Sequence, residues 1–470
     1  MTYESLKGTL LSTALALVTA IVFTGPAAAQ VFDGSKARVN LASKLRMLTQ
    51  QVGSASCRIN AGIGVKTAQE DLAKAQSEFN VILNGLENGS MALGIPSPER
   101  YGVVKRSLAA VKETWSPMDQ AASSLVGGGG DTRASAQLIA DANLPLLEAT
   151  KILASDVSGK YSNPNELTQA DAMALNIAGR QRMLSQRITK EVCGIVSGAS
   201  VLGTPDDLGA SLDMYDISLR ALRQGMVEAG VNPPPTEAVS SELERIEGHW
   251  QQALPTLTAI RSGLVPSTDN VVNLASVSDY LSKEMGNVVT LYMLATPGQE
   301  DVYRVPLRAY AEEELAKWLE NPELIDAIRA QNIAHANLSQ GDIDQLDLDW
   351  RAQRKADAKP LIDQLLSRPA SAWLRDKQAD TASFVTEVFA MDNKGLNVAQ
   401  SVETSDLWQG DEAKWQLTYG NGSGEIHISE VEFDESTGTY QSQVSMPIKD
   451  PASGEMIGAI TFGINVQSLL

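Results

Sequence analysis

The sequence predicts a mainly α-helical protein with a C-terminal α+β domain. Through residues 30–296, apolar residues recur at spacings of three and four, which is the pattern of amphipathic helices. A twelve-residue helical signature occurs twice in this region, 136 residues apart, and strand-like runs separated by turns begin near Phe384. We therefore expect two helical-bundle modules, at 30–160 and 167–296, followed at 302–470 by an antiparallel sheet with N-terminal helices.

The N-terminal segment is typical of an exported protein. Lys7 precedes an apolar run from Thr9 to Phe23, and small residues follow as far as Ala29. These features predict a signal peptide at 1–29 that is cleaved after Ala29, which would release a soluble protein into the periplasm. The alternative is an uncleaved segment that anchors the protein in the inner membrane.

Composition narrows the possible functions. The net charge of −19 argues against nucleic acid and anionic membrane surfaces as primary partners. The three histidines, His249, His335 and His427, are scattered along the chain, so no metal site is predicted. The sequence has no phosphate-binding loop, nucleophile elbow or metal-ligand spacing. We therefore predict neither a cofactor nor an enzymatic activity.

Proline and glycine divide the first module into elements. Pro96 and Pro98 end a long first segment, and helices are predicted over 99–126 and 132–160. Pro145 interrupts the last of these patterns, which predicts a kink or a break there. The second module repeats this order of elements.

The C-terminal region changes from helical to strand-like patterns along its length. Helices are predicted at 307–319, 322–336 and 343–358, a short helix at 411–419, and strands at 385–391, 396–402, 425–433, 440–448 and 456–466.

The two copies of the signature, at 40–51 and 176–187, carry the chemistry of the helical modules. Arg46 and Gln50 share one helix face in the first copy, as Arg182 and Gln186 do in the second. A guanidinium that points inward must find acceptors, and its planar fork suits carboxylate, nitrate or phosphate. These four residues are therefore our candidates for ligand binding.

A structural role for these arginines is the alternative. Each arginine could pair with an acid of its own module, and Asp141, Glu148 and Glu284 are the candidates. In that case the repeated face would stabilise the modules without binding a ligand.

The two cysteines also occupy equivalent positions. Cys57 and Cys193 lie 136 residues apart, on the same helix faces as Arg46 and Arg182. Export and equivalent placement favour a Cys57–Cys193 disulfide over two separate buried thiols. Such a disulfide needs the two helices to approach within about 6 Å, which would relate the modules by an approximate twofold axis. Arg46 and Arg182 would then lie near each other and repel unless an anion lies between them.

Residues 176–190, Asn-Ile-Ala-Gly-Arg-Gln-Arg-Met-Leu-Ser-Gln-Arg-Ile-Thr-Lys, closely resemble the hallmark of the PilJ-type module. This module is the N-terminal domain of type IV pilus methyl-accepting chemotaxis transducers. It is distantly similar to the helical bundle of NarX nitrate/nitrite sensors, in which an arginine of the first helix binds the anion across a dimer axis. The resemblance implies sensing or signal transduction and not catalysis.

The first copy departs from this hallmark in residues of different chemical type. Ser43 replaces glycine, Leu45 replaces glutamine and Gln51 replaces arginine. Arg182 is therefore the better candidate for a ligand, and Arg46 could be only its structural counterpart.

Residues 387–401 and 404–415, with 447–448 and 458–463, resemble a Cache (PAS-like) extracellular sensor domain. The resemblance covers 302–470 and implies a pocket on the sheet for a small metabolite, often a carboxylate or an amino acid. The candidate pocket residues are Asp392, Asn397, Asp406, Trp408, Trp415 and Tyr419, with Lys414 as the partner of a ligand carboxylate. The alternative is that both tryptophans are core residues and Asp406 caps a helix.

Together these features predict a periplasmic sensory protein that binds a small anionic molecule. The ligand classes are nitrate or nitrite, carboxylates and amino acids, and a transmembrane partner would receive the signal. The alternative is a non-catalytic scaffold protein of the envelope or one associated with pili.

Overall fold

Helices make up most of the protein and an antiparallel sheet lies near its C-terminal end, which confirms the predicted fold class. The computed structural model describes residues 34–161, 169–295, 301, 303–381, 384–434 and 437–468. The predicted signal peptide, and the segments 162–168 and 296–300 next to the expected domain boundaries, lie outside the described residues. None of the helices within the described ranges has both the length and the apolar composition needed to cross a bilayer.

Four helices form the first bundle: α1 (Ser35–Asn60), α2 (Val65–Asn88), α3 (Gly102–Val126) and α4 (Thr132–Tyr161). Each helix packs against the next, and α4 returns to α1. The long first segment expected from the sequence is in fact two helices, because the chain turns where Gly62 and Gly64 take positive φ angles of 70° and 52°. Helix α4 continues through Pro145 without a break.

The second bundle repeats the first. Its helices are α5 (Gln169–Ser197), α6 (Pro205–Gln224), α7 (Glu237–Arg261) and α8 (Thr268–Ala295). In the first bundle the rings of Phe79 and Trp115 stack with centroids 4.1 Å apart, and Tyr215 and Trp250 repeat this contact at 4.1 Å. The duplication therefore includes the aromatic core of each bundle and not only the signature helix.

Helices α1 and α5 carry the two signatures and lie side by side in the same direction. Cys57 and Cys193 form a disulfide near their C-terminal ends, with S–S 2.11 Å and Cα–Cα 6.2 Å. Nearer their N-terminal ends, a Cβ on Gly179 would lie 2.8 Å from Oγ of Ser43, its equivalent in the first signature. Since equivalent residues meet at both places, an approximate twofold axis relates the bundles along this contact.

The C-terminal domain begins with five helices. They are α9 (Arg304–Glu313), α10 (Pro322–Ala334), α11 (Gln340–Gln353), α12 (Pro360–Leu366) and α13 (Pro369–Ala379). The last two were not predicted from the sequence. Both begin with a proline at the first helical position, which is a start signal, but both are too short to show a clear helical period.

The sheet is antiparallel throughout the described residues. Its strands are β1 (Val385–Met391), β2 (Asn397–Gln400), β3 (His427–Ile428), β4 (Glu432–Asp434), β5 (Thr439–Lys449) and β6 (Met456–Asn465). Their order is β2-β1-β6-β5, and β3 and β4 both pair with β5. The single strand expected at 425–433 is therefore two short strands. Helices α10 and α13 pack against one face of this sheet.

A group of carboxylates lies where the second bundle meets the sheet. Glu242 of α7 and Glu284 of α8 both contact Nη2 of Arg245, at 3.0 Å in the case of Glu284. Asn287 Nδ2 links Glu284 to the turn before β5, donating to Glu284 Oε2 and to the carbonyl of Gly438, both at 3.3 Å. Burial and the hydrogen bond with Glu284 raise the pKa of Glu242 to about 7, against the opposing effect of Arg245.

This raised pKa predicts that the contribution of Glu242 to stability falls as the pH rises. Between about pH 4.5, the ordinary pKa of a glutamate, and about pH 7, folded Glu242 keeps a proton that the unfolded chain releases. The stabilisation is therefore present at low pH and lost as the pH rises through 7. Tyr280 and Tyr440 also face this group, but burial and the two carboxylates keep their pKa values above the ordinary 10.

Glu242→Gln should reduce the drop in melting temperature between about pH 5 and about pH 8, because glutamine keeps a donor to Glu284 and removes the titration. The measurement is thermal unfolding followed by circular dichroism, with the exposed Glu244→Gln on the same helix as the matched control. Equal pH dependence in wild type and Glu242→Gln would contradict this assignment.

Candidate functional site

Three arginines of the signature helices lie together where α1 meets α5. Arg182 is only 3% exposed, and its Nη2 donates to Oδ1 of Asn40 at 2.8 Å, while its Nε has no hydrogen-bond partner in the described part of the chain. Arg46 is half-buried and donates to Ser43, the residue one turn before it. Arg180 is half-buried as well. The partners of these guanidinium groups are thus neutral groups.

Gly179 allows two of the guanidinium groups to converge. A Cβ at this position would lie 3.7 Å from Nη2 of Arg182 and 3.8 Å from Nη2 of Arg46. Both groups therefore reach the same point from opposite helices. A small ligand with oxygen atoms could receive hydrogen bonds from both at this point.

Electrostatic repulsion at this place is not balanced by an ion pair. Burial and then repulsion from Arg46 lower the pKa of Arg182 to about 10, and Glu78 offsets only part of this. Burial and repulsion from Arg180 lower the pKa of Arg46 as well. Among the described residues, no carboxylate lies within 4.0 Å of the nitrogen atoms of these three arginines, and Glu78 itself pairs with Lys44 at 2.5 Å.

The acids that could have paired with the signature arginines have other partners. Asp141 accepts a hydrogen bond from Gln137 at 2.8 Å, and Glu148 pairs with Lys151 at 2.6 Å. The third candidate, Glu284, belongs to the carboxylate group at the sheet. The alternative in which each signature arginine pairs with Asp141, Glu148 or Glu284 is therefore not supported.

The glutamines of the signature do not join the arginines. Gln50 Nε2 donates to Oδ1 of Asn143 on α4 at 3.4 Å, and Gln186 Nε2 donates to Oδ1 of Asp279 on α8 at 2.7 Å. Asn143 and Asp279 are again 136 residues apart, so each glutamine ties its signature helix to the last helix of its own bundle.

A buried lysine at the same contact was missed by the sequence reasoning. Lys190 of α5 is 9% exposed, its Nζ lies 3.3 Å from Oδ1 of Asn143, and burial lowers its pKa to about 8. Its equivalent in the first copy is Ser54, so the repeat gave no signal for it. The contact between the bundles thus holds several cations in a protein of strongly negative net charge.

In the C-terminal domain, Asp392 follows β1 and caps the turn to β2. Its Oδ1 accepts hydrogen bonds from the backbone N–H groups of Lys394 and Leu396 at 2.8 and 3.0 Å. Its Oδ2 accepts one from Gln331 of α10 at 3.0 Å and lies 2.8 Å from Nδ1 of His335. The side chain is 0% exposed, so these oxygen atoms hold the turn and the helix together.

Asn397 and Asp406 are parts of a buried polar group beside α11. Asn397 Nδ2 donates to Gln400 Oε1 and Thr404 Oγ1, both at 3.1 Å. Asp406 is 8% exposed, and its Oδ2 accepts a hydrogen bond from Arg351 Nη2 at 3.0 Å. Both side chains are held by contacts within the protein.

The aromatic candidates pack around the same turn. The indole nitrogen of Trp408 donates to the carbonyl of Lys394 at 2.8 Å, and that of Trp415 donates to the carbonyl of Asp392 at 3.2 Å. The rings of Trp415 and Tyr419 lie 5.3 Å apart, and burial raises the pKa of Tyr419.

A cavity of about 410 Å³ lies nearby, on the sheet, and Lys414 is the predicted residue that lines it. Its other walls include side chains that the sequence reasoning missed: Glu387 and Phe389 of β1, Phe433 of β4, and Gln441 and Gln443 of β5. Polar residues at alternate positions of a predicted strand were the available signal. Such a pattern usually marks a face exposed to solvent, so it did not single out a cavity.

The two helical bundles that meet at the arginine contact both match one known family. Residues 29–141 and 166–279 both match the PilJ family, described as the N-terminal domain of type IV pili methyl-accepting chemotaxis transducers. The chain therefore carries two PilJ-type domains in tandem.

Two individual proteins are similar to shorter parts of this chain. The methyl-accepting chemotaxis protein McpN of Pseudomonas aeruginosa strain PAO1 is 26% identical over 128 residues, which are 27% of this chain and 23% of McpN. The chain therefore spans about a quarter of the length of this relative. The crystal structure of the sensor domain of the Vibrio cholerae histidine kinase DctB matches 33% of this chain and 58% of that chain, at 14% identity and a TM-score of 0.18. The resemblance of residues 302–470 to Cache domains stays a prediction.

Proposed function

We propose that this protein is a periplasmic sensor that binds a small oxyanion between Arg46 and Arg182 and passes the signal to a membrane partner. The observation that carries the proposal is the convergence of the buried guanidinium of Arg182 and the half-buried one of Arg46 on Gly179, without an ion-pair partner among the described residues. The tandem PilJ-type domains support the sensory role, because that family is described by its place in chemotaxis transducers.

The chemistry of the pair favours an anion with planar geometry. Each guanidinium presents donors in a fixed plane, and together they can bind oxygen atoms on two sides of one small ligand. Nitrate, nitrite and small carboxylates have this geometry. A bound anion would also remove the repulsion between Arg46 and Arg182, so binding would stabilise the folded state.

Thermal unfolding with nitrate, nitrite, acetate and amino acids tests this proposal. At least one of these anions should raise the melting temperature, since a ligand at 100 times its dissociation constant adds about 2.7 kcal/mol to stability. Arg182→Gln should abolish that increase. Without a ligand the same variant should be as stable as wild type or more stable, because it removes a buried, unpaired charge.

Two further variants sharpen the test. Gly179→Ala keeps both charges but fills the point on which they converge, so it should also abolish the effect of the anion. Arg106→Gln, on an exposed surface of α3, is the matched control and should respond like wild type. If no anion stabilises wild type and Arg182→Gln lowers its stability, the arginines are structural and the scaffold function is favoured.

A further inference from the structure

The cavity on the sheet has a floor made by three neighbouring strands. In the register, Gly463 of β6 pairs with Glu387 of β1 on one side and with Gln443 of β5 on the other. Gln443 Nε2 donates to Oε1 of Glu387 at 3.2 Å across this glycine. A Cβ on Gly463 would lie 2.6 Å from Cγ of Glu387. The absence of a side chain at this position therefore gives Glu387 and Gln443 room to contact each other across β6.

The described walls of the cavity carry more negative than positive charge. Five carboxylate residues line it, Glu387, Glu403, Glu412, Glu432 and Asp434, against the two cations Arg354 and Lys414. Both cations are already paired, since Arg354 Nε lies 3.1 Å from Glu403 Oε1 and Lys414 Nζ lies 2.9 Å from Glu412 Oε2. Glu387, the carboxylate on the floor of the cavity, therefore has no ion-pair partner among the described residues.

Glu387 is the carboxylate that a ligand would meet at the base of the cavity. Gln443 satisfies only one of its oxygen atoms. Burial raises the pKa of Glu387, and the nearby Lys414 offsets only part of this effect. A positive group on a ligand would stabilise the ionised form of this carboxylate.

An aromatic ring beside Glu387 also suits a positive group. Nζ of Lys414 lies 5.2 Å from the centroid of the Phe389 ring, so this face already accommodates a cation. Phe433, on β4, adds a second aromatic side chain to the wall and is 38% exposed.

We propose that this cavity binds a small organic cation whose ammonium group pairs with Glu387 and packs against the aromatic wall. This site lies in another domain than the arginine pair and takes a ligand of opposite charge, so it goes beyond the function proposed above. The protein would then combine two separate ligand-binding sites of different chemistry.

Isothermal titration of the full chain with choline and with ethanolamine tests the proposal, and acetate serves as the anionic counterpart. At least one of the two cations should bind in the cavity, and any binding of acetate should be lost in Arg182→Gln, because acetate is a ligand for the arginine pair and not for this cavity. Glu387→Gln, which keeps the shape of the side chain, should weaken binding by roughly ten- to a hundredfold, the usual effect of losing a charged hydrogen bond. Phe433→Ala changes an exposed side chain and should weaken binding without affecting folding.

Controls separate this site from the arginine pair. Glu313→Gln, on the exposed side of α9, should bind the cation like wild type. The response to nitrate or acetate at Arg182 should persist in Glu387→Gln, so either site can fail alone. The proposal is overturned if neither cation binds, if binding is unchanged in Glu387→Gln, or if acetate binds in the cavity and Lys414→Gln abolishes it.

Discussion

Replacing Cys57 and Cys193 together by alanine should lower the free energy of unfolding by about 5 kcal/mol. The disulfide joins residues 136 positions apart, and a cross-link across a loop of this length removes much of the entropy of the unfolded chain. Urea unfolding followed by circular dichroism, with wild type kept oxidised, measures the difference. This is the largest effect on stability that we expect from a change outside the cores of the bundles.

The reduced wild-type protein is the control for this experiment. It lacks the cross-link but keeps both side chains, so it should unfold at nearly the same urea concentration as the double alanine variant. A reductant should have no effect on that variant. If oxidised wild type and the double variant share one midpoint, the disulfide does not stabilise the contact between the bundles.

The disulfide and the arginine pair lie at two levels of one helix contact. Eleven residues separate Arg46 from Cys57 on α1, and the same number separates Arg182 from Cys193 on α5, so the two levels lie about 16 Å apart. The cross-link holds the C-terminal ends of α1 and α5 together. Repulsion between the arginines acts about halfway along both helices, where the anion proposed above would draw the helices together.

The repeat explains why this part of the molecule could be predicted from sequence. Two copies of one signature at constant spacing imply a symmetric contact, and the symmetry alone brings Arg46 near Arg182 and Cys57 near Cys193. Asn40 could not be predicted as the acceptor for Arg182, because that contact joins positions that are not equivalent.

The C-terminal domain has no internal repeat, so its sequence does not indicate which residues come together in the fold. An indole side chain shows the same sequence pattern whether it lines a cavity or packs beside a turn, as Trp408 and Trp415 do. Glu387 and Gln443 belong to different strands with β6 between them. Their contact depends on the order of the strands in the sheet, and the hydrophobic pattern of each strand does not predict that order.

A buried ion pair breaks the symmetry of the two bundles. Arg38 near the start of α1 and Glu99 before α3 are 1% and 3% exposed, and Nη1 of Arg38 lies 3.2 Å from Oε2 of Glu99. The equivalent positions in the second bundle are Ala174 and Pro235, so the repeat gave no indication of this pair. The pair therefore stabilises the first bundle alone.

The surroundings of this pair satisfy both charges. Nη1 of Arg38 also donates to the carbonyl of Leu86 at 2.9 Å, and its guanidinium lies 5.0 Å from the centroid of the Tyr161 ring. Oε1 of Glu99 accepts hydrogen bonds from the hydroxyl of Tyr161 at 2.8 Å and from the backbone N–H of Tyr101 at 2.7 Å. Removing either partner would leave a buried charge facing neutral groups only.

Arg38→Met should therefore lower the free energy of unfolding by about 3–5 kcal/mol, the usual effect of breaking a buried pair from one side. Adding Glu99→Gln to this variant should recover part of the loss, because the double variant no longer buries a lone carboxylate. Urea unfolding of wild type, both single variants and the double variant gives the coupling free energy directly. Additive losses in the double variant would mean that Arg38 and Glu99 stabilise the bundle independently, through Leu86 and Tyr161, and not as a pair.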